Sequence, residues 1–440
     1  MNASTLANRL NDIERREFIA RIARTCLGVS LVPPLSLAHA LENGGETGSA
    51  SGARKASRVI YLFMRGGMSH LDTFDTKPDA PAGIQGATRT ISTKADGVRF
   101  SSFFPKLAQH AEEMAIVRSM SHTQGAHEPG VYKVLTGFEQ TGAMNHPALG
   151  AWVARQAMGG HGTLPPYILL GGLADHPGAG FMDARFAPVP VLDATKGIEH
   201  TQQPTGDSMT SLRKRLSLAD TLNQNFLAQF PMSEIKAHGD MYADAARLMT
   251  SKDLEAFDLS KERSRQRKNY SSDAFGQGLL LARRLVERGT KFVEIELGGW
   301  DTHTNLFAQV DQLARMVDDG VSTLLDDLKD LGLLETTLVV LTTEFGRSPK
   351  LNGSGRDHHP IAFSSFIAGG GVRGGQAYGE TDETGHHVIA NPVTVLDFHA
   401  TLGALLGVSP LDTLPAGSGG AFSIYGGTGA KRGKAISALV

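Results

Sequence analysis

The chain has 440 residues, 20% charged and 41% hydrophobic, an ordinary globular balance with a net charge of −2. That charge gives no sign of a protein that holds nucleic acid or another polyanion. The length permits two or three domains, although large α/β enzymes often build one continuous sheet at this size.

The first forty residues read as an export signal rather than as part of the fold. Arg15-Arg16-Glu17-Phe18-Ile19 opens a basic region, and a mostly apolar stretch runs from Ile19 to Leu37, interrupted by Arg21 and Arg24. Ala38-His39-Ala40 then has the small-x-small form of a signal-peptidase site. Adjacent arginines ahead of Phe and Ile resemble a twin-arginine signal, which predicts a periplasmic or otherwise exported protein. Its removal takes away Cys26, the only cysteine, so the mature chain forms no disulfide and relies on core burial. Residues 41–57, rich in Gly, Ser and Ala, read as a flexible linker.

From there the sequence alternates short apolar runs with helical patterns. Arg58–Met64 is predicted as a buried strand meeting the loop Arg65-Gly66-Gly67, and Met114–Arg118 as a second strand. Pro147–Met158 is predicted helical and Pro165–Gly171 a strand. Residues 207–288 read as a mostly helical insertion. Phe292–Leu297 alternates apolar and acidic residues, so it is predicted as a strand with one polar face. Leu306, Val310, Leu313, Val317, Val321, Leu324, Leu328 and Leu331 step by threes and fours, the mark of a long amphipathic helix. Strands follow at Thr336–Thr343 and Ile361–Ala368, then a helix at Asn391–Gly407, with residues 426–440 a tail. Strand, helix and strand in this order predict an α/β three-layer sandwich, a mostly parallel mixed sheet between helices. No internal repeat is present, and no segment of the mature chain is apolar enough to span a bilayer.

Imidazoles and carboxylates gather at the predicted strand ends, which in such sheets face the ligand crevice. Asp301 and His303 follow Phe292–Leu297, Glu344 follows Thr336–Thr343, and His358 and His359 precede Ile361–Ala368. A cation held by Asp301, His303, Glu344 and one of His358 or His359 would have the mixed nitrogen and oxygen shell suited to zinc or manganese. Singly, each residue has a plainer use: Asp301 as a helix cap near Thr304, Glu344 as a partner of Arg347. The loop after the first strand adds Ser69, His70, Asp72 and Asp75. Asp72 is a candidate metal or oxyanion-site contact and Ser69 a candidate catalytic hydroxyl, unless both only satisfy a turn. Arg347, Arg356 and Arg373 are candidate clamps for an anionic ester, and Gly369–Gly375 offers amides for an anion nest or a plain surface turn.

Five motifs in order resemble one family. They are Gly66 to Asp75 with Lys77-Pro78, Gly299-Trp300-Asp301-Thr302-His303, Glu344-Phe345-Gly346-Arg347-Ser348-Pro349, Gly355-Arg356-Asp357-His358-His359-Pro360, and Gly369 to Gly375. They resemble the alkaline phosphatase and sulfatase superfamily, in particular an exported bacterial branch known as domain of unknown function 1501, and the resemblance covers about residues 58–425. The resemblance implies an alkaline phosphatase-like sheet with one or two divalent metals at its strand ends, and hydrolysis of a small anionic phosphate or sulfate ester.

Where sulfatases carry Cys-x-Pro-Ser-Arg ahead of Leu-Thr-Gly, this chain has His127-Glu128-Pro129-Gly130-Val131 ahead of Leu135-Thr136-Gly137. The position of the formylglycine nucleophile is therefore His127, and formylglycine chemistry is excluded. His127 is open to three readings: nucleophile, metal ligand or general acid. Where the superfamily has an Asp-His pair, this chain has Glu344-Phe345. The expectation is an exported metal-dependent ester hydrolase, set against a non-catalytic binding or scaffold protein that kept the sheet and lost the nucleophile.

Overall fold

The computed structural model describes residues 56–142, 144–157, 162–198, 209–229, 243–245, 247–416, 420–427 and 432–440. Residues 1–40, read above as an export signal, and almost all of residues 41–57, read as a linker, lie outside the described residues. No helix among the described residues is long and apolar enough to cross a membrane.

The strands of the main sheet are β1 (Arg58–Met64), β2 (Met114–Ser121), β3 (Tyr167–Leu170), β4 (Val189–Val191), β5 (Phe292–Leu297) and β6 (Thr337–Thr342). A two-stranded ribbon of β7 (Gly346–Arg347) and β8 (His358–His359) stands outside it, before the main-sheet strands β9 (Phe363–Gly369), β10 (Gln376–Tyr378) and β11 (Val393–Thr394). The order across the sheet is β10-β2-β9-β6-β1-β5-β3-β4, with β11 paired to β2. β9 runs antiparallel to both β2 and β6, and the other main-sheet pairings are parallel. The mostly parallel mixed sheet expected from the sequence is therefore present.

The alternation within β1 shows why there are three layers. Ile60, Leu62 and Met64 face one apolar cluster and Val59, Tyr61 and Phe63 the other. The first cluster is closed by the helices Ala274–Glu287 and Leu306–Asp330. The second is closed by helices at His127–Thr136, Leu149–Gln156 and Val395–Leu405. We label the five in chain order α1 (His127–Thr136), α2 (Leu149–Gln156), α3 (Ala274–Glu287), α4 (Leu306–Asp330) and α5 (Val395–Leu405).

The polar face expected of β5 carries Glu294, which is buried and accepts a 2.5 Å hydrogen bond from the Tyr167 hydroxyl, and Glu296, which is partly exposed beside Arg65. The end of the 207–288 stretch also belongs to the core, because α3 buries Leu279, Leu280, Leu281 and Leu285 beneath the sheet.

The direction of β9 fixes the site. With β1, β2, β5 and β6 aligned, their carboxyl ends share one rim. An antiparallel β9 begins at that rim, so the β8 ribbon just before it is delivered there too. The Gly369–Gly375 loop follows the other end of β9 and lies at the opposite rim, away from the histidines. Its amides are used locally, Gly370 donating to Leu334 O and Val372 to Gly369 O. Arg373 sits in the same loop, against Ser437 O.

Candidate metal centre

Asp301 is the hub of the rim. Its Oδ1 lies 3.1 Å from His303 Nε2, 3.2 Å from His358 Nε2 and 2.5 Å from Arg347 Nη2. Its Oδ2 lies 3.3 Å from His127 Nε2. His303 Nε2 and His358 Nε2 are themselves 3.1 Å apart. His127, Asp301 and His358 place one ligand atom each within 4.8 Å of one another, a spacing that can hold a metal ion.

The chain folds this way for local reasons. His127 opens α1, directly after the chain leaves β2. His358 lies on the two-residue strand β8, where neighbouring side chains point to opposite faces. His358 therefore reaches the cluster while His359 turns away to His386 O at 2.8 Å. Gly66 lets the β1 loop press against the β5 loop: its φ is +119°, and an added Cβ would stand 2.4 Å from Asp301 N.

Each of the three rings spends its other nitrogen on an oxygen. His127 Nδ1 is 2.8 Å from Glu344 Oε1, His358 Nδ1 is 2.8 Å from Gly125 O, and His303 Nδ1 is 3.4 Å from Asp357 Oδ1. Each ring therefore has an oxygen acceptor behind it at Nδ1 and the Asp301 carboxylate in front of it at Nε2. Three Nε2 atoms converge on one carboxylate. His127 Nε2 is buried and has no hydrogen-bond partner, its 3.3 Å approach to Asp301 lying outside hydrogen-bond geometry.

The electrostatics keep Asp301 ionised. Partial burial would raise the pKa of Asp301, but the Arg347 guanidinium and the neighbouring imidazoles hold it at about 2. The hydrogen bond to the Glu344 carboxylate pushes the His127 pKa up against partial burial, with Asp301 adding to it. The buried Phe345 ring forms an apolar wall, 4.5 Å from His358 and 5.1 Å from His127 between ring centroids.

The other expected site residues have different surroundings. Glu344 is at the rim but fully buried, accepting from Gly66 N at 2.8 Å and lying 3.2 Å from Thr343 Oγ1. Arg347 pairs with Asp301 rather than with Glu344, and gives its remaining donors to Gly66 O, Gly67 O and Arg356 O. With no part of its side chain exposed, it braces the β1 and β5 loops and does not present a free clamp. Asp301 does not cap α4, whose preceding residue, Asn305, makes no side-chain cap.

Asp72 and Arg356 lie apart from the histidines as a sealed ion pair, 2.9 Å from Oδ2 to Nε, both with wholly buried side chains. Ser69 Oγ donates to Asp72 Oδ2 at 2.5 Å, and Thr88 donates to Oδ1. Arg356 also donates to Pro349 O and Ile84 O. This corrects the expectation of an anion held by Arg356, a metal on Asp72 and a reactive hydroxyl on Ser69, because their polar atoms are consumed by one another. Sequence reasoning missed Gly125 O and Asp357 as partners of the rings. Asp357 stands in the Asp-His-His triplet, but its role depends on a ribbon register that spacing does not reveal.

The family model described as protein of unknown function (DUF1501) matches residues 56–436. The chain belongs to that family. No curated protein sequence matches it. Among solved structures it is similar to a putative sulfatase from Bacteroides thetaiotaomicron, at 12% identity and a TM-score of 0.41 over 87% of this chain and 76% of that one. It is also similar to a phosphonate monoester hydrolase from Silicibacter pomeroyi, at 12% identity and a TM-score of 0.37 over 80% and 74%. A third is the lipoteichoic acid synthase LtaP from Listeria monocytogenes, at 10% identity and a TM-score of 0.35 over 82% and 74%.

Proposed function

We propose that this chain is a metal-dependent hydrolase of a small phosphate or sulfate ester, with one divalent cation held by His127, Asp301, His303 and His358. One observation carries the reading: three Nε2 atoms converge on one carboxylate while each Nδ1 faces an oxygen. A cation there would take nitrogen and carboxylate donors together. The His127, Asp301 and His358 donor atoms lie within 4.8 Å of one another, where ligands at 2.0–2.1 Å on a tetrahedral zinc would stand about 3.3 Å apart, and His303 Nε2 stands 3.1 Å from both Asp301 and His358. Three imidazoles and a carboxylate are a donor set for zinc or manganese.

A divalent ion held by these residues would supply Lewis acidity toward a non-bridging oxygen of the ester and toward a bound water. The protein's own residues orient the shell and exclude water on one side. Phe345 walls the site, and Arg347 keeps Asp301 ionised and aimed. Asp301 and His303 remain half exposed, which leaves an approach for substrate from solvent. Ser69 supplies no nucleophile in this arrangement because its hydroxyl is committed to Asp72. His127 acts as a ligand in this reading, its Nε2 being directed inward.

The test is metal content of purified protein beside hydrolysis of an aryl phosphate, a phosphodiester and an aryl sulfate. Wild type should carry about one zinc or manganese per chain and turn over at least one of the esters. His303→Ala should lose both properties. Protein that holds metal yet leaves all three esters intact would favour a binding or scaffold role, the reading suggested by His127 in place of a formylglycine precursor.

A further inference from the structure

We infer that Glu344 is a positioning residue that acts through His127 and stands outside the metal's own shell. The inference rests on the metal-centre reading above and assigns a role within it. Glu344 follows β6 directly, and its fully buried carboxylate is met by three groups: His127 Nδ1 at 2.8 Å, Gly66 N at 2.8 Å and Thr343 Oγ1 at 3.2 Å. None of these belongs to Asp301, His303 or His358. The one cluster member that Glu344 touches is His127, and it touches the nitrogen facing away from Asp301. Oε1 accepts two hydrogen bonds at once, from an imidazole and from a backbone amide, and is thereby fixed in place.

A carboxylate behind a ligating imidazole does three things. It fixes the tautomer, it fixes the ring plane, and it raises the basicity of the distal nitrogen. The neighbouring rings have weaker versions of the same support, a neutral carbonyl (Gly125 O) behind His358 and a longer 3.4 Å contact from Asp357 behind His303. His127 alone among the three has a fully buried carboxylate behind it. Glu344 also ties the shell to the β1 loop through Gly66, the glycine pressed against the Asp301 amide. One side chain therefore couples ligand orientation to the approach of two loops.

The experiment compares wild type, Glu344→Gln and Glu344→Ala as full chains, using Zn²⁺ competition against a chelator and ¹H–¹⁵N imidazole spectra. Gln can keep the acceptor toward His127 and Gly66 but removes the charge, whereas Ala removes both. The expected result is unchanged stoichiometry in all three, with affinity weakened about 10-fold in Gln and up to about 100-fold in Ala. His127 should show an Nδ1–H tautomer in wild type and Gln that is lost in Ala. Equal affinity in all three proteins, or a Co²⁺ absorption spectrum showing that Glu344→Gln has lost a ligand, would overturn the inference. If Ala does not fold, Gln decides through affinity and the Co²⁺ spectrum. A wild type that takes up no metal would sink the underlying reading instead, and the imidazole spectra of metal-free protein would still report whether Glu344 orients His127.

Discussion

Two polar clusters flank the loop after β1, and they are built on opposite plans. Around Asp72, every charge is answered: Arg356 takes the carboxylate, Ser69 and Thr88 fill its remaining lone pairs, and Arg356 itself is spread over the carbonyls of Pro349 and Ile84. Around Asp301, three imidazole nitrogens crowd one half-exposed carboxylate at 3.1–3.3 Å, with Arg347 behind it. The first arrangement is complete without a ligand. The second is the one that the proposed reading completes with a metal ion. Both sets of residues sit in the most chemically suggestive motifs of the chain, so residue type alone does not separate scaffold from site; the balance of donors and acceptors does.

The contrast can be broken at its sealed end. Arg356→Met removes one partner of a wholly buried pair and leaves Asp72 uncompensated, for an expected loss of about 3–5 kcal/mol of stability in denaturant unfolding. Adding Asp72→Asn should recover part of that loss. Bound metal per folded molecule should be unaffected in both proteins. A stable Arg356→Met protein that has lost its metal would place Arg356 in the site after all.

A smaller effect sharpens the point that buried histidine is not by itself a ligand. His399 is fully enclosed, donates to Val134 O at 2.9 Å, and has its pKa lowered to about 4 by burial, from an ordinary 6.5. Above pH 6.5 the ring is neutral in folded and unfolded chains and contributes no pH dependence. Between pH 6.5 and 4 the unfolded chain binds the proton first, so stability falls with falling pH, by roughly 2–3 kcal/mol from this residue. His399→Gln should flatten that part of the stability profile without changing metal content. An unchanged acid slope would show that His399 is not the origin.

Much of this was legible in the sequence. The runs Arg58–Met64 and Phe292–Leu297 coincide with β1 and β5, and the helix beginning at Leu306 runs to Asp330, one residue short of its last periodic leucine. Long periodic patterns and apolar runs bounded by glycine carry strong local information. Asp301, His303 and His358 were also recognisable as a group, because strand ends converge at one rim in any parallel sheet. What the sequence hid was pairwise. Nothing in the order of residues distinguishes His358 from His359; a two-residue ribbon does, by sending them to opposite faces. Nor does spacing reveal that Asp72 meets Arg356 across 284 positions, or that Glu344 faces the back of His127 across 217. Those pairings depend on the antiparallel entry of β9 and on the glycine-mediated contact of two loops.

Metal-edge X-ray absorption on purified protein tests the central claim most directly. The account predicts first-shell scattering at about 2.0–2.1 Å from nitrogen and oxygen, with the multiple-scattering signature of three imidazoles that drops to two in His358→Ala. A bound metal whose spectrum lacks imidazole scattering, or one left unaltered by His358→Ala, would contradict it.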